Sequence, residues 1–251
     1  SEEILFHIAD TLGMKQNQKV NGNIISAIKK CGFDKVFDSG FAGDIFIEES
    51  KNELVDFNKN KTTYILTHCP SVKTYIEQFY PALVNNTNHL KSSWQIMAGI
   101  IKNIYAKKNE INKENIYNVA VTTCTSTKAE ASRPDMMTEG IPDLDAVISA
   151  NEIIRLIKLS GIEINKDEKT EFDFPYNISS SASSLINIPG GITEAVLRSN
   201  DTKQANLNQK RKELRGIKTE RNITSKNGGK QLQVKIVNEI RNAIPYLNDI
   251  V

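Results

Sequence analysis

Residues 62–70 read Thr62-Thr63-Tyr64-Ile65-Leu66-Thr67-His68-Cys69-Pro70, and this stretch decides the class of fold. Its first part, Thr62 to Leu66, is rich in β-branched and aromatic residues and predicts a short buried strand. Pro70 suits a first helical turn, where no backbone N–H donor is needed, and predicts a helix that runs towards Tyr80. A strand that leads directly into a helix is typical of α/β proteins. Cys69 lies at the junction.

The same order returns at residues 117–122 (YNVAVT), a second predicted strand that is followed by Cys124. Strands alternating with helices along the chain predict an α/β fold of two packed lobes, with mostly parallel sheets flanked by helices. In such sheets functional sites gather at the carboxyl ends of the strands. Cys69 and Cys124 both follow such an end.

The remaining elements are predicted from periodicity and from helix start and stop signals. Further strands are expected at residues 35–38, 145–149 and 231–237. Helices are expected over about residues 24–31, 44–57, 70–80, 93–105, 151–159 and 191–198, and at the end of the chain. The polar stretch from Lys203 to Asn227 predicts a loop-rich segment.

Composition narrows the classes of function. The chain has 251 residues, 39% of them apolar, and a net charge of +2, so no global field favours nucleic acid or an anionic membrane. No apolar run approaches the roughly 20 residues that span a bilayer, and the acidic start has no signal-peptide pattern. Three scattered cysteines are too few for a disulfide framework, which favours a reducing cytoplasm or a reducing organelle.

The cysteines by themselves leave two interpretations open. Cys69 and Cys124 could reach one site in a two-lobed fold, or each could be a small buried thiol without chemistry. The sequence has no CxxC motif and no nearby histidine that completes a zinc site. Thiolate ligation of an iron–sulfur cluster usually takes about four cysteines.

A series of motifs resembles the cluster-binding domain of iron-only (FeFe) hydrogenases in the family's own order. They are residues 31–39 (CGFDKVFDS), 43–53, 66–70 (LTHCP), 75–81, 124–134, 144–153 and 190–198 (GGITEAVLR). The resemblance covers almost the whole chain. It implies a single hydrogenase-like domain over residues 1–251, with one lobe at about 1–110 and the other at about 111–251.

The resemblance also implies a cofactor. In the family, four thiolates hold a four-iron four-sulfur cubane, and one of them bridges to a two-iron subsite where protons and electrons combine to dihydrogen (the H-cluster). Cys69 and Cys124 correspond to two of the four metal ligands. The other two belong to a C-P-G-G-C motif that these 251 residues do not contain. A chain without a bound cluster is the alternative.

Several positions of the family's proton relay are altered. The cysteine that starts the relay corresponds to His68, whose imidazole could still carry protons. One relay glutamate corresponds to Ser50 and the relay serine to Asn88. Glu53 is retained, and Glu130 stands where the family keeps an acid near the surface. His68, Glu53 and Glu130 are therefore the candidate catalytic residues, and each has the alternative of a purely structural role.

The contacts to the two-iron subsite are altered as well. The family's lysine that touches a cyanide ligand corresponds to Thr127, and a lysine, Lys128, follows one place later. Thr127 and Lys128 are the candidate cofactor-binding residues.

Three functions remain open from the sequence. The first is a hydrogenase that exchanges electrons with a ferredoxin-like carrier or an iron–sulfur partner subunit. The second is a non-catalytic relative, such as a sensor, an iron–sulfur assembly factor or a scaffold. The third is a plain α/β binding module without metal.

Overall fold

The computed structural model describes residues 2–14, 18–60, 62–164, 170–200, 220–227 and 230–251. The chain forms two compact units, each built from two separate stretches. Unit 1 comprises Ser1–Ala42 and Ser93–Ser180, and unit 2 comprises Gly43–Ser92 and Ser181–Val251. The lobe boundary expected near residue 110 therefore falls inside unit 1.

Helices dominate both units, and the predicted helices are all present with longer or slightly shifted ends. They are α1 (Glu2–Thr11), α2 (Gln18–Lys30), α3 (Gly40–Asn60), α4 (Pro70–Phe79), α5 (Ser93–Ile100), α6 (Ala106–Lys108), α7 (Ser126–Ala131), α8 (Ala150–Leu159), α9 (Gly191–Asn200) and α10 (Ile240–Ile250). A π-helical turn, Ile101–Tyr105, joins α5 to α6. Short 3-10 turns occupy Pro81–Asn86, Lys113–Asn115, Pro134–Met136 and Ser183–Leu185.

The strands form small sheets. In unit 1, β1 (Val119–Thr122) pairs in parallel with β4 (Ala146–Ser149) over four residue pairs, from Val119–Ala146 to Thr122–Ser149. Two antiparallel pairs join β2 (Met137–Thr138) to β3 (Ile141–Pro142), and β5 (Glu220–Asn227) to β6 (Lys230–Val237). The parallel pair joins two strands that the sequence predicted.

Two strand predictions and one loop prediction fail or hold only in part. Residues 35–38 pair with no strand of the described chain, and the 62–66 segment has a single parallel bridge, from Ile65 to Thr87. A ladder needs a neighbouring segment, which local sequence does not specify. Residues 220–227 were expected to be loop, but β6 supplies the partner that makes them β5. The rest of that expected loop, 203–219, lies outside the described residues.

The core of unit 1 packs α1 and α2 against α8. Ile8, Ile24 and Ile153 are fully buried there. A capping box starts α8: the Ser149 side chain accepts from the Glu152 backbone N–H, and the Glu152 carboxylate accepts from the Ser149 N–H. Since this box satisfies otherwise orphaned donors of the first turn, it fixes where α8 begins, directly after β4.

Unit 2 has two apolar clusters. Ile47 and Leu54 of α3 pack with Ala195, Val196 and Leu197 of α9. A second cluster joins α4 to α10 and is centred on three buried side chains, Ile76, Leu83 and Leu247. The α3 cluster fixes the helix that carries Ser50 and Glu53, and the α4 cluster fixes the helix that follows Cys69.

Asp173 connects residues 34–38 to α2 within unit 1 through ion pairs and a hydrogen bond. Its carboxylate lies 2.8 Å from the Lys29 ammonium and 3.2 Å from that of Lys35, and it accepts from the Val36 N–H at 2.8 Å. Burial raises the pKa of Asp173, but the bonds from Lys29, Val36 and Lys35 outweigh it and hold this pKa below its ordinary value. The ionised form therefore stabilises the fold.

This carboxylate makes stability depend on pH. Since the pKa of Asp173 is lower in the folded chain, its contribution is complete above the unfolded value of about 4 and is lost as the pH falls through the folded value. We expect Asp173→Asn to cost about 1–3 kcal/mol at pH 7 and to lose less stability than the parent between pH 6 and pH 3. Melting temperatures across that range test this, with exposed Glu171→Gln as the control. Parallel curves for Asp173→Asn and the parent would contradict it.

Candidate functional site

Cys69 lies in a turn that is fixed by the threonine two residues before it. The Ile65–Thr87 bridge lies in the extended segment before Cys69, and the Ile65 N–H donates to Asn86 O at 2.7 Å. The Cys69 N–H then donates to Thr67 Oγ1 at 3.1 Å. Cys69 is half-buried and is the N-cap residue of α4. Its thiol is therefore presented at the carboxyl end of an extended segment in unit 2.

Cys124 lies in an equivalent turn of unit 1. It follows β1, and its N–H donates to Thr122 Oγ1 at 3.0 Å. The Cys124 thiol is half-buried and lies 2.9 Å from the Ser126 hydroxyl, at the start of α7. Each unit thus holds one cysteine in a Thr-x-Cys turn between an extended segment and a helix. A threonine stands two residues before Cys69 and before Cys124. This shared pattern could have predicted the two turns, but it was not identified from the sequence.

His68 lies between Thr67 and Cys69 and packs into unit 2. Its ring meets that of Phe46, on α3, edge to face with centroids 4.8 Å apart. Burial lowers the pKa of His68 to about 4, and the charge of Lys73 lowers it further in the same direction. The imidazole is therefore neutral at pH 7 and accepts a proton only in acid.

Glu53, the acid that the resemblance implies is retained, has partners on both carboxylate oxygens. Tyr64 Oη donates to Oε2 at 2.9 Å, and the His89 backbone N–H donates to Oε1 at 3.2 Å. Asn88, at the position of the relay serine, uses its side-chain oxygen to accept from the Thr67 N–H at 2.9 Å. Asn88 therefore holds the Cys69 turn, while Tyr64 and His89, which the sequence did not single out, hold Glu53.

The candidate residues after Cys124 lie in different environments. Thr127 is fully buried, and Glu130 is 5% exposed although its position was expected near the surface. Lys128 is exposed, and its ammonium donates to both oxygens of Glu152 at 2.8 and 2.9 Å. That bond, with those of the capping box, lowers the pKa of Glu152 to about 2. Lys128 thus secures the start of α8 in this structure.

Three positions at which the resemblance implies a changed residue carry buried polar atoms without hydrogen-bond partners. Within the described part of the chain, Ser50 Oγ, Asn88 Nδ2 and Thr127 Oγ1 have none. Such atoms are uncommon in native proteins and call for a ligand or ordered water. All three fall at positions singled out from the sequence for cofactor or proton chemistry.

These residues fit only half of a four-thiolate cluster site. Among the described residues no group of three or more His, Cys, Asp or Glu side chains could hold a metal ion. Cys69 belongs to unit 2 and Cys124 to unit 1, and the third cysteine, Cys31, packs against the α1–α2–α8 core. Burial raises the pKa of the Cys31 thiol, and a hydrogen bond with Ser160 offsets part of that rise. A cubane would need two ligands beyond Cys69 and Cys124.

Comparisons with known proteins agree with the resemblance. The family model for the C-terminal domain of the iron only hydrogenase large subunit matches residues 1–251. Iron hydrogenase 1 of Clostridium pasteurianum is 34% identical over 236 residues, which are 92% of this chain and 40% of that protein. Cytosolic iron-sulfur assembly component 3 of Rattus norvegicus is 28% identical over 159 residues, 60% of this chain and 33% of that protein.

A solved structure confirms the α/β fold class. An apo [FeFe]-hydrogenase HydA1 variant from Chlamydomonas reinhardtii superposes with a TM-score of 0.76 at 22% identity, covering 98% of this chain and 71% of that one. This chain spans less than half of the length of the curated hydrogenases that it matches. In the described residues no helix has the length and apolar character to cross a membrane.

Proposed function

The chain belongs to the family formed by the C-terminal domain of the iron-only hydrogenase large subunit, and we propose that it supplies half of the protein ligands of an H-cluster-type centre. Cys69 and Cys124 are the proposed thiolate ligands, and two more come from outside residues 1–251. The observation that carries this proposal is the pair of matched Thr-x-Cys turns. When bound, such a centre supplies reversible exchange of electrons and protons with dihydrogen.

The chain's own residues prepare these ligands. Because Thr67 and Thr122 each accept from the amide of a cysteine, they fix the backbone from which the thiol projects. Asn88 holds Thr67 in turn. Thr127 lies one helical turn after Cys124, and its buried hydroxyl has no hydrogen-bond partner in the described part of the chain. Thr127 is therefore the residue of this chain that is proposed to contact the two-iron subsite of the cluster.

A second function, cluster handling without turnover, is favoured by His68. Its ring packs edge to face against Phe46 with centroids 4.8 Å apart, in a buried environment that disfavours the charged imidazolium. The side chains of Ser50 and Asn88 have no titratable group. Under this proposal the chain binds iron–sulfur without hydrogen chemistry, as an assembly factor, sensor or scaffold.

Partners and compartment follow from the chemistry of the centre. We propose a ferredoxin-like carrier or an iron–sulfur partner subunit as the source of electrons for the catalytic function. Cys31, Cys69 and Cys124 are free thiols. Free thiols fit a reducing compartment, which is the cytoplasm or an organelle such as a hydrogenosome.

Anaerobic reconstitution of the full-length protein tests the ligand assignment. We expect Cys69→Ser and Cys124→Ser each to lose most of the bound iron, because cysteine thiolates hold a four-iron cubane. Cys31→Ser is the matched control and should keep its iron. Unchanged iron in the Cys69→Ser, Cys124→Ser double variant would overturn the proposal.

Infrared spectra of the same samples separate the two functions. Bands from iron-bound carbon monoxide and cyanide identify an H-cluster and support the hydrogenase. Bound iron without those bands supports cluster handling without turnover. No bound iron in the parent protein would refute both.

A further inference from the structure

The two Thr-x-Cys turns differ in what lies beside the sulfur. A serine stands two residues after each cysteine, Ser71 in unit 2 and Ser126 in unit 1. Ser126 Oγ lies 2.9 Å from Cys124 Sγ, and both residues are half-buried. Ser71 is exposed, and in the described part of the chain no hydrogen bond joins it to Cys69. Two matched backbone turns therefore hold sulfur atoms in different surroundings.

Backbone hydrogen bonds at Cys124 hold the Ser126 hydroxyl beside the sulfur. The Cys124 N–H donates to Thr122 Oγ1 at 3.0 Å, and the Cys124 carbonyl accepts from the Thr127 N–H at 3.3 Å. Ser126 is the first residue of α7 and lies within the turn that the second bond closes. Replacing the serine side chain removes neither of these bonds, so a variant can test the hydroxyl alone.

Iron binding decides which atom of this contact is the donor. In a free thiol either the sulfur or the hydroxyl can donate. A thiolate that binds iron has no hydrogen, so its sulfur can only accept, and the Ser126 hydroxyl becomes the donor. A hydroxyl hydrogen rotates about its C–O bond, so this change needs no movement of the backbone. A bond to an ionised acceptor is also stronger than a neutral one.

We infer that Ser126 donates a hydrogen bond to the Cys124 thiolate and thereby raises the reduction potential of the cluster that this thiolate binds. The inference rests on the proposed role of Cys124 as a cluster ligand. Hydrogen bonds to the sulfur atoms are among the factors that set the potential of an iron–sulfur cluster. Reduction adds negative charge, part of which resides on the ligand sulfurs, so this donor stabilises the reduced cluster more than the oxidised one.

The same contact makes the two thiolates of this chain unequal ligands. The Cys124 sulfur accepts from a hydroxyl and therefore gives less electron density to iron. Ser71, at the matching place beside Cys69, makes no such bond among the described residues. Ser126 is thus a positioning residue that acts on the cluster through Cys124, and no counterpart of it acts through Ser71.

Redox titration of the reconstituted full-length protein, followed by electron paramagnetic resonance of the reduced cluster, tests the inference. We expect Ser126→Ala to lower the equilibrium constant for reduction roughly tenfold, a shift of about 59 mV for one electron. Ser126→Thr keeps the hydroxyl and should keep the potential of the parent. Ser71→Ala, the matched control from the other turn, should also titrate as the parent does. Bound iron should be equal in the parent and in all of these variants.

Two spectroscopic measurements examine the bond itself. In the loaded protein, Ser126→Ala should raise an iron–sulfur stretching frequency in the resonance Raman spectrum, because the Cys124 sulfur then gives more electron density to iron. In the protein before reconstitution, Cys124→Ser identifies the S–H stretching band of Cys124 in the infrared spectrum. Ser126→Ala should move that band to higher frequency, and Ser71→Ala should leave it in place.

The outcomes separate this inference from the ligand proposal. A parent-like potential in Ser126→Ala, or an equal fall in Ser71→Ala, would overturn the role of Ser126. A potential that is as low in Ser126→Thr as in Ser126→Ala would overturn it as well, because the hydroxyl would not be the cause. An unmoved S–H band in Ser126→Ala would refute the contact whether or not iron binds. Absence of iron from the parent instead overturns the ligand proposal, and with it the effect of Ser126 on a cluster.

Discussion

Lys102→Met should lower the free energy of unfolding by about 3 kcal/mol, because it removes the buried cation of a partly buried ion pair. Lys102 is 3% exposed. Its ammonium donates to Asp145 Oδ1 at 2.8 Å and to the Pro142 carbonyl at 2.7 Å. Asp145 also accepts from the Asn118 N–H at 2.6 Å, directly before β1. Methionine keeps much of the side-chain volume but leaves the carboxylate and the carbonyl without this donor.

Loss of the Lys102–Asp145 ion pair should destabilise the start of the parallel β1–β4 pair. Asp145 precedes β4, so its bond to Asn118 aligns the beginnings of both strands, and β1 leads to Cys124. Denaturant unfolding of Lys102→Met and of Lys107→Met, an exposed residue on α6, measures the effect. The control should stay within about 0.5 kcal/mol of the parent. Equal midpoints for Lys102→Met and the parent would refute a stabilising role for the pair.

Gly191→Ala should destabilise unit 2 by about 3 kcal/mol, at the upper end of what overpacking usually costs. A Cβ atom on Gly191 would lie 2.0 Å from the carbonyl oxygen of Leu185 and 2.9 Å from its carbonyl carbon. Both are backbone atoms, so no side-chain rotation relieves the clash. Gly191 begins α9, whose Ala195 and Val196 are buried in the α3 cluster. The helix would have to shift in its packing against α3.

Gly99→Ala is the matched control for that experiment. Gly99 lies within α5, and its added Cβ would meet nothing nearer than Asp143 Oδ2 at 3.6 Å, an ordinary contact. Alanine in a helix interior is favoured over glycine by roughly 0.5–1 kcal/mol, so this variant should be as stable as the parent or more so. Thermal unfolding of both variants would disprove the prediction if Gly191→Ala melted with Gly99→Ala.

The features that could be predicted from the sequence alone are those that depend on local chemistry. Pro70 starts α4 because it has no N–H to leave unsatisfied, and Gly161 follows the end of α8 with a positive φ of 65° that glycine tolerates. The ordered motifs around Cys69 and Cys124 predicted the family, which the comparisons confirm. These signals depend on neighbours in the chain, and so they can be read without the fold.

Tertiary structure decided which distant side chains meet. Tyr64 and His89 donate hydrogen bonds to Glu53 although they lie 11 and 36 residues from it in the sequence. Lys128 donates to Glu152, which lies 24 residues later in the sequence. The two units are each assembled from separate stretches, and β5 is a strand only because β6 lies beside it. A hydrogen bond or ladder across such separations depends on where packing places both partners, and no pattern in either segment alone encodes that.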